Sequence, residues 1–262
     1  MRKLILLPFA LLLACTGSTK ESPTDQYKVE STHEQTSVNS EPVTSLNWSG
    51  TINDTIPAFL HYSIHGDLII GELSYLNGLN NEPLKVIGTI DQNKEYRVLQ
   101  FEPDGNISAI LTGRPDGKAF KGRLFLTSSN QEQQFNFSRK DTAVVESELM
   151  PEAGEIFGNY YYKYSEDGFQ GEFQIKKVDD KHVAFDILSV TDERRGRNIA
   201  DVPNDTIAMS GNAFTYTIPE SDDCKFKATF YKGFVVVSYI NGYCSGQFGL
   251  NATIDGIFLK VR

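Results

Sequence analysis

Histidine, cysteine, tryptophan and methionine are all scarce in this chain. Its 262 residues include four His, three Cys, one Trp and three Met. So few dispersed ligands exclude the clustered Cys/His spacing of a structural zinc module. Neither a G-x-S-x-G nucleophile elbow nor an H-E-x-x-H zinc helix occurs; His33-Glu34 is followed by no second His at that spacing. Long apolar runs are missing too. The run Leu4–Leu13 is interrupted by Pro8 and is shorter than the roughly 20 apolar residues of a membrane-spanning helix. Basic residues are outnumbered, with Lys+Arg 25 against Asp+Glu 34 and a net charge of -9. A nucleic-acid binder needs the opposite balance to neutralise phosphates. What the chain does have is a hydrophobic content of 40%, enough to build cores. Its 11% aromatic content favours pleated, half-buried strands.

The leader sets the compartment. Arg2 and Lys3 precede the Leu4–Leu13 run, which closes on Leu12-Leu13-Ala14-Cys15. A positive start, a short apolar segment and a small residue form a secretory signal. Their order up to Cys15 resembles the lipobox of bacterial lipoproteins. The resemblance implies cleavage before Cys15, a diacylglycerol on its sulfur and an acyl chain such as palmitate on its amine. An ordinary secretory signal with an incidental cysteine is the alternative. Two or three acyl chains anchor stably where one is marginal, at about 0.8 kcal/mol per buried CH₂. The expected location is the bacterial cell envelope, lipid-anchored in the outer membrane and facing the periplasm or the exterior.

Removing residues 1–14 takes away Arg2 and Lys3 and no acid, so 23 basic residues face 34 acidic ones and the net charge becomes -11. With Cys15 carrying lipid, Cys224 and Cys244 remain as an even pair in an exported chain, where a disulfide is expected. Closing that loop is worth about 3 kcal/mol on the chain-entropy view.

Residues 16–45 hold six Ser, six Thr and five acids, with no apolar period. They read as a disordered tether reaching roughly 30 Å. From Leu46 the pattern alternates with period two. Eight strands are expected over residues 46–140: Leu46–Ile52, Thr55–Ile64, Asp67–Leu76, Leu84–Ile90, Tyr96–Glu102, Ile107–Gly113, Phe120–Thr127 and Gln134–Arg139. His65-Gly66-Asp67, Pro103-Asp104-Gly105 and Pro115-Asp116-Gly117 supply the turns. A linker over 141–156 contains a short helix at Ala143–Met150, stopped by Pro151 and Gly154. Ten strands follow to residue 262, among them Asn198–Val202, Thr206–Ser210 and Gln247–Leu250. The fold class is therefore all-β: two small antiparallel meander barrels or curled sheets, calycin-like, after the tether. Ile70-Gly71-Glu72-Leu73 and Gln170-Gly171-Glu172-Phe173 form a weak internal echo.

Few residues point to chemistry. His61 and His65 lie roughly 13 Å apart on one strand, too far to share a metal. The acid pairs Glu166-Asp167, Asp179-Asp180 and Asp222-Asp223 sit in turns rather than as the convergent carboxylates of a glycosidase. Gly113 to Lys118 is one residue short of a phosphate loop and continues into Ala119. No catalytic residue, metal site or cofactor is expected. Along Gly158–Tyr164, Tyr160, Tyr162 and Tyr164 share one face and Tyr161 shares the other with Lys163. One row fills the core; Tyr161 and Lys163, with the Arg194, Arg195 and Arg197 loop cluster, form the candidate binding surface. Asp54-Thr55-Ile56, Asp141-Thr142-Ala143 and Asp205-Thr206-Ile207 resemble a bacterial O-glycosylation motif.

The C-terminal half, through Cys224-Lys225-Phe226, Phe234 to Tyr239, Cys244-Ser245-Gly246 and Gly256-Ile257-Phe258-Leu259-Lys260, resembles exported β-barrel modules, some of them similar to lysozyme inhibitors. In the N-terminal half, Ile70-Gly71-x-x-x-Tyr75 and Leu99-x-Phe101-Glu102 are similar to segments of other exported barrels. Neither resemblance brings a catalytic residue. The expected function is a non-enzymatic, membrane-anchored envelope lipoprotein with a binding or maintenance role and a protein or glycan partner. The rivals are an inhibitor of a basic lysozyme, a carrier of a small apolar ligand and, last, an enzyme on envelope glycans.

Overall fold

The structure is a computed structural model that describes residues 44–77, 82–141, 149–152, 154–165, 168–191, 198–240, 244 and 246–261. The described residues form sixteen strands and no helix. The expected helix at Ala143–Met150 falls almost wholly outside them, as do the leader, Cys15 and the tether up to residue 43.

The first eight strands are β1 (Thr44–Ile52), β2 (Ile56–His65), β3 (Leu68–Tyr75), β4 (Leu84–Ile90), β5 (Tyr96–Phe101), β6 (Ile107–Asp116), β7 (Ala119–Leu126) and β8 (Gln131–Lys140). They pair in chain order, and β8 returns to β1 through Asn47↔Lys140 to Ile52↔Phe135, closing the barrel. Short hairpins enforce this order. Gly66 and Gly117 carry φ of 65° and 57°, as tight two-residue turns require. Pro115 and Asp116, expected in the turn, instead end β6, and the turn proper is Gly117-Lys118. The interior is filled by side chains, with Trp48, Phe120, Phe135 and Phe137 fully buried among Leu60, Ile69, Val86 and Leu111. Ring contacts link Trp48 to Phe120 and Phe120 to Phe135, at 5.5 and 4.9 Å between centroids. At one end Gln100 is buried but satisfied: Tyr75 Oη donates to it at 2.8 Å and its amide donates to Ser108 Oγ at 2.7 Å.

The second sheet comprises β9 (Gly158–Lys163), β10 (Gln170–Lys177), β11 (His182–Val190), β12 (Ile199–Ala208), β13 (Ala213–Thr217), β14 (Lys225–Tyr231), β15 (Phe234–Tyr239) and β16 (Gly256–Val261). Its order is β12-β11-β10-β9-β16-β15-β14-β13, so the last strand inserts beside the first and the two edges are consecutive in sequence. This sheet is curled but not closed. Its edges meet at the turn, where Ser210 bridges Ala213, and through Tyr216 Oη, which donates to Asp205 Oδ2 at 2.6 Å.

Two expectations are corrected. The segments Asn198–Val202 and Thr206–Ser210 are one strand, β12. Pro203 interrupts the apolar pattern without ending the strand, because β12 is an edge and an edge strand needs no ladder donor on its outer side. A register shift opposite Phe185/Ile187 absorbs the irregularity. Gln247–Leu250 is not a strand but a run of turns, with Gly246 and Asn251 at φ of 79° and 60° and Ala252 N donating to Gly249 O.

The barrel interior is one buried cluster, and the barrel's outward residues join a second one with the other sheet. Leu68, Ile87, Leu99, Phe101 and Ile107 belong to the same buried cluster as Tyr160, Phe173, Phe230, Phe234 and Leu259. The β5–β6 turn locks onto β9: Lys163 N donates to Gly105 O at 3.2 Å, and Asn106 bridges Lys163. Lys85 of β4 reaches across, donating to Lys232 O at 3.0 Å with its ammonium 5.1 Å from the Phe234 ring centroid. Burial there pushes its pKa down. Phe234–Val237 is a continuous apolar run. Val235 and Val237 are buried in the curled second sheet, and Phe234 lies beneath Lys85 of the barrel.

Candidate functional site

With the barrel interior occupied, concave surface is found at the barrel mouth and around the sheet junction. At the mouth, a hollow of about 370 Å³ is rimmed by Asp67, Asp91 and Lys94 over Ile64 and Tyr96. On the outer face of β9 to β11, a groove of about 360 Å³ is lined by Tyr161, Glu172, Gln174 and Asp186. Asn159 and Gln174 are already bonded to each other there at 2.8 Å. One side of the junction carries a wide cleft of about 770 Å³ beside Lys85, Phe101, Glu102 and Lys260.

A second hollow at the junction, about 420 Å³, is mainly apolar. This lies within the usual ~300–1,000 Å³ of small-molecule sites. Its walls come from both sheets. The barrel supplies Arg97 from β5 and Ile110 from β6; the second sheet supplies Tyr162 and Ile257, with Tyr164 and Phe169 just beyond strand ends. The local sequence explains each placement. Strand alternation turns Val98 into the barrel and Arg97 and Leu99 outward. Tyr162 is buried, its ring 4.8 Å from Phe258 and 5.9 Å from Tyr164, and burial pushes its phenol up to about 12. Phe169, by contrast, is 42% exposed. Polar groups gather at one rim: Tyr239 Oη contacts Thr253 Oγ1 at 3.0 Å, and Thr253 Oγ1 in turn donates to Asp255 Oδ1. Arg97 makes no ion pair among the described residues and remains exposed.

The sequence-derived candidates are only partly brought together. Cys224 and Cys244 are bonded, with Cα atoms 5.2 Å apart, tying the chain ahead of β14 to the segment after β15. Tyr161 and Lys163 share a face, which the β5–β6 turn covers in part and which also borders the groove on the outer face. Tyr161 Oη donates to Gln170 Oε1 at 3.1 Å, and its ring edge lies beside Gly105. Arg194, Arg195 and Arg197 lie outside the described residues, as does Cys15. His61 Nδ1 contacts Asn47 Oδ1 at 2.8 Å, and His182 lies against Asp179 at 2.9 Å. Among the described residues no three His, Cys, Asp or Glu converge to hold a metal. Arg97, Ile110, Phe169 and Ile257 carried no signal in the sequence, because the hollow they line exists only where one sheet docks on the other.

No family model matches the chain. It is similar to the alanyl-tRNA editing protein AlaX-M of Saccharolobus solfataricus, 36% identical over 80 residues, covering 30% of this chain and 32% of that protein. The chain thus spans about a third of the length of the curated relative it matches. No solved structure matches.

Proposed function

We propose that this is an exported, lipid-anchored envelope protein with a non-enzymatic binding role, its binding site being the apolar hollow at the sheet junction. The observation that carries the reading is the Cys224–Cys244 disulfide, which suggests an oxidising, extracytoplasmic compartment. That compartment fits a leader ending at Cys15. The binding role rests on the junction hollow. The filled barrel interior weighs against a carrier of the open-barrel kind and supports a site outside it. An editing activity on tRNA is not carried over from a match to a third of a protein. A polyanionic substrate is repelled by a chain of net charge -9, and a tRNA is met in the cytosol, not where this disulfide is at home.

Lipidation is tested by labelling cells with a palmitate analogue and fractionating them. The wild-type chain is expected to carry label and to sediment with membranes, while Cys15→Ala loses both. Unlabelled wild-type protein in the soluble fraction would overturn the anchor.

A further inference from the structure

The junction hollow joins an apolar body to Arg97, which makes no ion pair among the described residues. Ile110, Ile257, Tyr164 and Phe169 form a wall of the size and polarity that accepts an aromatic or branched apolar group. Phe169 holds a large exposed ring at the entrance, where burial would be gained on binding. Arg97 stands at the rim on β5, flanked across the ladder by Thr89 and Thr112. Neither neighbour offers a carboxylate, and no acid pairs with it among the described residues. Among the described residues, Arg97 is the one base lining this mainly apolar hollow. Its planar donor fork suits a carboxylate, sulfonate or phosphate. The acid among the lining residues, Asp255, is already engaged by Thr253 and repels an anion. Charge therefore fixes orientation as well as class, with the anion at Arg97 and the apolar end towards Tyr164 and Phe169.

From this we infer that the hollow takes a small amphipathic anion, an aromatic or branched apolar molecule bearing one acidic group. The inference rests on the reading of the junction hollow as the binding site, and one experiment separates the two. The full chain is titrated calorimetrically with naphthalene-2-sulfonate and with its neutral counterpart, naphthalene-2-methanol, against a matching detergent blank. The sulfonate is expected to bind one per chain. Arg97→Gln weakens it by about tenfold or more, the scale of a lost charge-assisted contact, while the neutral probe changes by less than about twofold. Phe169→Ala weakens both probes. Lys94→Gln, at the barrel mouth, changes neither. All three side chains are exposed, and an unchanged melting temperature checks that the variants fold. If both probes bind and Arg97→Gln is indifferent, the anionic class is overturned and the hollow remains a site. If neither probe binds, or Phe169→Ala leaves both affinities unchanged, the hollow is not the binding site and the inference falls with it.

Discussion

At the scale of single residues, two glycines in turns make a controlled comparison. Gly105 and Gly117 both have positive φ, 87° and 57°. A Cβ on Gly117 meets nothing within 4 Å, whereas one on Gly105 comes within 2.9 Å of the Tyr161 carbonyl. Gly117→Ala should cost about 1 kcal/mol for the left-handed backbone alone. Gly105→Ala adds a clash with backbone from the other sheet, for a total of about 2–3 kcal/mol. Denaturant melts of both variants check this, and equal losses would remove Gly105 from the junction. The phenols give a second prediction. Burial pushes Tyr162 and Tyr216 up to about 12, and Tyr62 and Tyr160 also rise. A phenol with a higher pKa in the fold holds its proton more tightly there. Its contribution is complete below the unfolded value near 10 and is lost as pH rises from there through 12. Tyrosinate absorbance should therefore show these four buried rings keeping their protons above pH 10 until the fold is lost. All twelve titrating together near 10 in folded protein would contradict the burial.

At the scale of elements, strands and hairpins were largely legible because alternation and glycine turns are local. Leu84–Ile90 and His182–Val190 agree to the residue with β4 and β11. Pro203 misled the reading because edge position, which makes a strand proline harmless, is a property of the sheet and not of the sequence. The echo around Gly71 and Gly171 also acquires a physical meaning. Gly71 lies across the ladder from Tyr62, and Gly171 from Tyr162, so each glycine vacates space beside a buried tyrosine. The open edge of the second sheet carries the element-scale prediction. Tyr216 Oη donates to Asp205 across the seam, and this bond holds the Asp205 carboxyl below the usual range. Tyr216→Phe should lower stability by about 1 kcal/mol, the net worth of such a bond near the surface. Because the Asp205 pKa is depressed in the fold, its share is present above the unfolded value near 4 and lost as pH falls through the folded one. The wild-type and Tyr216→Phe stabilities should thus converge in acid, and a constant difference from pH 7 to pH 2 would assign the effect to ring packing.

At the scale of the whole molecule, what the sequence concealed was the docking. Outward residues of the barrel such as Leu99 and Phe101 read as one half of an alternation, and nothing local says that a second sheet covers them. The candidate site was hidden for the same reason, since its walls are drawn from β5, β6, β9 and β16. Tyr161 and Lys163 were legible as a shared face, but not the β5–β6 turn that covers part of it. A buried cluster shared across the junction predicts shared unfolding. Phe101→Ala should cost about 3–5 kcal/mol and shift a single calorimetric transition, whereas two separated transitions would mean that the sheets fold independently. Reducing the disulfide should remove about 3 kcal/mol. The measurement that bears most directly on the proposed exported, anchored state is the intact mass of the chain from its native membrane, with and without reductant and thiol alkylation. The account predicts a chain beginning at Cys15, heavier by two or three acyl groups, with Cys224 and Cys244 alkylated only after reduction. A mass retaining residues 1–14, or a Cys15 that alkylates as a free thiol, would contradict it.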